Sequence, residues 1–195
     1  DVNPFTYRVV EKMQDSVFTY SDTLTSRAEI GDLAMKFNEE VIAIIGLGGT
    51  GSYILDFLVK TPVREIRGFD LDWFHVHNAF RSPGKLEAEE LARRKAEVYQ
   101  KRYEGFRSGI KIQAKFINAE SAEDLGGATF AFVCVDKGSS RAGIFELLIN
   151  LNIPFIDVGM GLNRDSGPIN GMIRATFYDR EKAKDVLAKQ LSPVT

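Results

Sequence analysis

The sequence holds one cysteine, Cys134, in 195 residues. A single thiol forms no internal disulfide and builds no zinc site that needs several cysteines. Long apolar runs are missing too. No stretch reaches the roughly 18 to 20 apolar residues that span a bilayer. The opening segment, DVNPFTYRVVEKM, is too polar and charged for a secretory signal. A cytoplasmic protein with no membrane partner is therefore expected. Nor is one sign of charge in excess: 25 Lys and Arg face 27 Asp and Glu, for a net charge of -2. A general attraction to nucleic acid is not expected from that balance, which leaves only a local basic patch as a route to it. Long internal repeats and low-complexity runs are absent. The chain opens on Asp1 rather than Met, as a processed product or a piece of a longer protein would. What is present, 44% hydrophobic and 27% charged residues, suits one globular domain with a full core.

Alternating apolar runs and amphipathic stretches organise the chain. Residues 1–37 read as a mainly helical segment, with a cap at Ser21 or Asp22 and an apolar face of Ile30, Leu33, Ala34 and Phe37. Val41–Ile45 is a continuous β-branched run, as in a strand buried on both faces. Ser52–Val59 reads as a helix that Pro62 closes off. Glu65–Asp72 is a second strand ending in carboxylates, and Lys85–Glu104 is expected to be one helix. Lys111–Ile117 and Thr129–Asp136 supply the third and fourth strands, a helix starts near Ser140, and PFIDVGM is the fifth strand. GPINGMIRATFYD reads as hairpin strands at a sheet edge, and residues 179–195 as a helix or tail. This alternation predicts an α/β, Rossmann-like, doubly wound sheet, mostly parallel, with antiparallel edge strands near the C-terminus. Right-handed crossovers put every parallel strand's carboxyl end on one rim, where such folds bind ligands.

The chemistry is therefore sought on that rim. GLGGTGS packs four glycines, Gly46, Gly48, Gly49 and Gly51, into six positions before Ser52. Glycines there let the main chain approach a ligand, and the following helix start offers amides and a dipole to an anion. The turn alone says nucleotide, without saying which; a tight ligand-free turn is the plain alternative. Asp70, 19 residues beyond Gly51, sits where a ribose-binding acid belongs, with Asp72 as a neighbour that serves equally or merely caps the next segment. Asn78, Arg81 and Lys95 add an amide and two cations, which suit a polyphosphate. As ordinary residues, Arg81 is a solvated loop charge and Lys95 a helix surface charge. Asp136 ends a strand at the rim, fit to hold Mg²⁺ or to cap the next helix.

Taken in order, GLGGTGS, DLD, HNAFR, RRKA and VDKGSSR resemble the ThiF/MoeB and ubiquitin-activating-enzyme superfamily of adenylating enzymes. The resemblance covers roughly residues 27–177. It implies a ThiF-like ATP-binding domain over residues 38–178, with the ATP ribose on Asp70, phosphates on Asn78, Arg81 and Lys95, and Mg²⁺ on Asp136. It also implies an arginine upstream of the first strand that often reaches the partner subunit's site; Arg27 is the nearest candidate and Arg8 a weaker one. Departures are plain. Ser82 stands where the family often has Gln, Lys137 where it often has Asn, and the two zinc-binding CxxC pairs of many relatives are absent. Cys134 lies mid-strand, so no thioester role is expected of it. His75 and His77 have no evident nucleophile to serve.

The resemblance implies ATP-dependent adenylation of a carboxylate, with the C-terminal glycine of a ubiquitin-like or sulfur-carrier protein as partner, in a homodimer. Two other readings stand beside it. A nicotinamide-dependent oxidoreductase accounts for Gly46–Ser52 and Asp70 but leaves Asn78, Arg81, Lys95 and Asp136 as coincidences. A non-catalytic binding or dimerisation module keeps the fold without turnover.

Overall fold

The computed structural model describes residues 16–136, 138–164 and 167–191. Six strands form one sheet: β1 (Val41–Ile45), β2 (Glu65–Phe69), β3 (Ile110–Gln113), β4 (Phe130–Val133), β5 (Phe155–Asn163) and β6 (Asn170–Tyr178). Their order is β3-β2-β1-β4-β5-β6, parallel except for β6, which runs antiparallel to β5. This is the expected doubly wound sheet, with its order reversing beside β1. The central position explains the composition of β1. All five of its residues are buried, and they alternate between two cores. Val41, Ala43 and Ile45 pack with Leu125, Ile144, Leu148 and Phe155 on one face. Ile42 and Ile44 pack with Leu55, Val59, Val98 and Tyr99 on the other.

The helices follow from the chain's apolar faces. Two short ones, α1 (Thr23–Arg27) and α2 (Gly31–Met35), precede the sheet. Asp22 caps α1 by accepting from the Leu24 and Thr25 amides, both at 3.0 Å. The expected N-terminal helix is thus interrupted: Glu29 has φ 55, which no continuous helix contains. The expected apolar face of α2 is not buried; Ile30, Leu33 and Phe37 are exposed. The part of that helical expectation on residues 1–15, and with it Arg8, lies outside the described residues.

Helix α3 (Gly49–Leu58) follows β1, and α4 (Val76–Ala79) is a single turn after β2. The helix expected over Lys85–Glu104 is shorter. A 3₁₀ turn at Ala88–Glu90 and α5 (Lys95–Tyr103) replace it. The cause is a local pairing. Phe74 N–H donates to Arg93 at 2.8 Å and Lys95 N–H to Asp72 at 2.9 Å, so the chain through Arg94 is extended and Ala92 takes φ 61. The remaining helices are α6 (Ala122–Leu125), α7 (Gly138–Asn150) and α8 (Ala183–Leu191). Among the described residues no helix is long and apolar enough to cross a membrane.

The antiparallel edge consists of β5 and β6 paired as one hairpin. β4 accompanies β5 only as far as Val133↔Asp157, whereas β5 and β6 stay paired to Asn163↔Asn170. Beyond Asp157 the two strands project as an arm, with Met160, Leu162, Met172 and Ile173 exposed.

Candidate nucleotide site

The rim at the switch point is built around the glycine turn. Gly46 has φ 93, and a Cβ built there would lie 2.9 Å from the Cys134 carbonyl oxygen. At Gly51 a Cβ would lie 1.9 Å from Gly46's own carbonyl oxygen, so the turn closes on itself only with glycine at that place. Gly48 differs: it borders open space and is the N-cap of α3 without any side-chain cap. Helix starts leave amides without intrahelical partners. Here no side chain of the protein caps them, and Ser52 in the first turn is buried, its hydroxyl donating to the Gly49 carbonyl at 3.0 Å.

Arg81 comes to this turn from the other side. Its carbonyl oxygen and Cδ lie 3.5 and 3.7 Å from where a Gly49 Cβ would stand. Its side chain is exposed and lines a cavity of about 390 Å³ with Leu71, Asp72, His75, Asn78 and Lys95. Trp73, His77 and Arg94 complete the wall, the Arg94 guanidinium stacked 4.0 Å over the Trp73 ring. Asn78 is buried, and its Oδ1 accepts the His75 N–H at 2.8 Å, so it caps α4 as well as facing the cavity. His75 and His77 stack on each other. A second cavity of about 270 Å³, between Asn152 and Asp179, lies at the far ends of the strands, away from this rim.

Lys95 is not the surface charge of the plain alternative; its side chain is only 6% exposed. The ammonium lies 2.8 Å from Asp72 Oδ2 and 3.7 Å from Asp70 Oδ2. Asp70 is sunk beneath the turn, where its carboxylate accepts from the Leu47 amide at 2.7 Å and the Asp72 amide at 2.8 Å. Burial pushes its carboxyl above the ordinary value; Lys95 and the two amides work against that rise. Asp70 thus fixes the turn to the end of β2, whatever else it contacts, and Asp72 is the more exposed acid of the pair, at 76%.

Asp136 lies exposed past the end of β4, two residues before α7. Lys137, the departure next to it, lies outside the described residues. Arg27 ends α1, exposed, and is not among the residues lining the cavity. Ser82, in place of the family's Gln, is buried behind Arg81. Cys134 is half-buried, and burial, helped by nearby Asp157, pushes its thiol up to about 12.

Sequence reasoning missed a charge cluster next to this rim. Asp157 on β5 is fully buried, 2.6 Å from Arg141 of α7 and 2.9 Å from Arg174 of β6. Two signals pointed to it: an acid inside the apolar strand PFIDVGM and a lone cation inside GMIRATFY. A buried charge needs a partner, and here the two strands and α7 supply them.

Fold and site together define a doubly wound α/β protein whose glycine turn lies beside a cavity lined by cations, with Arg81 against both. The chain belongs to the ThiF family, whose sequence profile matches residues 20–179. Solved structures share the fold. E. coli TcdA, a tRNA N6-threonylcarbamoyladenosine dehydratase solved in complex with AMP, is 22% identical over 72% of this chain and 59% of its own, with a TM-score of 0.64. E. coli MccB, solved with MccA, is 19% identical over 75% of this chain and 46% of its own, with a TM-score of 0.61. PaaA is 16% identical over 84% of this chain and 55% of its own, with a TM-score of 0.59. The chain therefore spans about half to three-fifths of the length of these structures.

Proposed function

We propose that the protein activates a carboxylate by ATP-dependent adenylation. The observation that carries this reading is the placement of Arg81, which packs against Gly49 at the uncapped start of α3 and also lines the cavity that holds Lys95, itself set between Asp70 and Asp72. An adenosine diphosphate portion is enough for a nicotinamide enzyme and calls for no such cations. Family membership supports the reading, as does the presence of AMP and ATP in TcdA structures.

In this mechanism a carboxylate oxygen of the acceptor attacks the α-phosphorus of ATP. The bond from that phosphorus to the bridging oxygen breaks, and pyrophosphate leaves with the electron pair. The product is an acyl-adenylate, and no protein nucleophile is needed. The α3 amides and Arg81 receive the phosphates. Lys95, oriented by its two acids, lines the cavity and adds a cation to them. Asp70, with Asp72 beside it, accepts from the ribose. Asn78 offers its amide nitrogen, since its oxygen is taken by His75. These groups are positioned before the reaction, which is how preorganised charge accelerates group transfer.

Asp136 would hold Mg²⁺. Among the described residues no three His, Cys, Asp or Glu side chains come together as a metal site. Asp136 does not line the cavity, but a single exposed carboxylate just past β4, on the same rim, fits Mg²⁺, which completes its shell with phosphate oxygens and water. When bound, it neutralises charge on the phosphates.

The acceptor we assign is the C-terminal glycine of a ubiquitin-like or sulfur-carrier protein, and the active species a homodimer in which Arg27 reaches the second copy's site. MccB solved with MccA gives a related fold acting beside a protein or peptide partner. The test is ATP–pyrophosphate exchange against a panel of carrier proteins ending in glycine, with calorimetry of MgATP and NAD. Exchange with one carrier, and binding of MgATP but not NAD, is expected. Arg81→Ala and Asp136→Ala should each lower exchange about 10²–10³-fold. Wild-type exchange in both variants, or binding of NAD alone, overturns the reading.

A further inference from the structure

Arg81 stands on a segment with no regular structure of its own. After it the chain runs through Ser82, Pro83, Gly84 and Lys85, and Gly84 takes φ +84. What holds this segment is a side chain from α5. Arg102 Nη1 donates to the Pro83 carbonyl at 2.7 Å and Nη2 to the Lys85 carbonyl at 2.9 Å. The same guanidinium grips Glu90 as a fork, with Nε and Nη2 each 2.6 Å from one carboxylate oxygen. Its face lies under the Phe74 and Tyr99 rings. Both partners of the ion pair are largely buried, with 14% and 12% of their side chains exposed.

Stability alone is a poor reason for such a pair. Removing two charges from water offsets much of their attraction, and an apolar pair of similar size often does as well. Geometry is a better reason. A forked guanidinium fixes both direction and distance, and here its spare donors fix two carbonyls on either side of Gly84. Arg102 also lies two helical turns beyond Lys95, at i and i+7 on α5, so one helix carries the cavity's lysine and the clasp on the arginine's loop.

We propose that Arg102, oriented by Glu90, is a positioning residue that sets Arg81 relative to Lys95 and the start of α3. It touches no substrate and acts through the backbone of residues 82–85. This inference rests on the reading of Arg81 as a phosphate contact.

Arg102→Lys keeps the charge and loses the fork. It is expected to lower ATP–pyrophosphate exchange at saturating ATP by about 10²-fold, the scale of a misplacement near 1 Å. In an Arg81→Ala background the same substitution should change exchange less than twofold, because the residue it positions is gone. Circular dichroism checks that each variant is folded. Glu90→Gln, which leaves the two carbonyl contacts available, serves if Arg102→Lys does not fold and should lower exchange several-fold, again only when Arg81 is present. Trypsin should cleave after Lys85 faster in either variant than in the wild type. Wild-type exchange in a folded Arg102→Lys or Glu90→Gln variant overturns the proposal, as do equal losses with and without Arg81. If the wild-type protein binds no MgATP, the nucleotide reading itself fails; faster cleavage after Lys85 would then still report the clasp, and its absence would remove that too.

Discussion

Lys95 is tied to Asp72 twice. Its backbone N–H donates to the Asp72 carbonyl at 2.9 Å, and its ammonium lies 2.8 Å from the Asp72 carboxylate. The first bond belongs to the pairing that stops the expected long helix, and the second turns the lysine inward. One local event therefore starts α5 and delivers a cation to the cavity.

Removing that cation leaves Asp70 buried with no facing charge. Lys95→Met is expected to lower stability at pH 7.5 by about 3 kcal/mol in urea unfolding. The sign of its pH dependence follows from Asp70. Burial raises its carboxyl in the fold, so the folded state holds the proton more tightly than the unfolded chain and stability falls as pH rises past 3.8. Without Lys95 that rise grows, so the penalty of the substitution should shrink at pH 5. An equal penalty at both pH values would count against Asp70 as its source.

The glycines of the turn are expected to separate folding from binding. Gly51→Ala drives a methyl into a backbone oxygen 1.9 Å away and should cost about 3 kcal/mol or unfold the turn. Gly48→Ala meets nothing within 4 Å and should change stability by about 0.5 kcal/mol or less. Its methyl adjoins the uncapped amides, so calorimetry should show weaker MgATP binding. Unchanged binding would move the phosphates off this turn.

Asp157 holds two arginines together. Asp157→Asn leaves them facing each other without a counter-charge and should cost about 3–5 kcal/mol by urea unfolding. Arg174→Gln should cost far less, about 1 kcal/mol or below, since half of that side chain is in solvent. A comparable loss in both would show that Arg174, rather than Arg141, is the main partner.

Cys134 is expected to be inert as a nucleophile. Its thiol titrates near 12 in the fold against 9.0 for the free group. Alkylation by iodoacetamide at pH 8 should be slow until the protein is unfolded. The folded state favours the protonated thiol, so this term is fully present below pH 9 and is lost between pH 9 and 12. Rapid alkylation of the folded protein would reopen a thioester role.

The sheet was legible because its signals are local. A short, continuous β-branched run suits a strand covered on both faces, and carboxylates at strand ends mark the rim. The residues proposed for the site stand out by type and order for the same reason. What the sequence hides is pairing between distant segments. Nothing in RRKAEVYQKRYEG shows that the residues before Lys95 are drawn straight by Asp72 and Phe74, so one helix was expected over 85–104. Nothing in the arginine content shows which of Arg93, Arg94 and Arg102 grips Glu90. Apolar periodicity also misleads at α2, where Ile30, Leu33 and Phe37 keep helical spacing on an exposed face.

The β5–β6 arm has a colloidal consequence. Past Asp157 it is two strands thick, exposes Met160, Leu162, Met172 and Ile173, and ends the sheet on β6. Two-stranded ribbons are marginal in water, and a long apolar edge is a template for further strands. The concentration at which this chain stays dispersed is therefore set in part by a segment separate from its glycine turn. A lysine at Ile173 should raise solubility while leaving nucleotide affinity where it was.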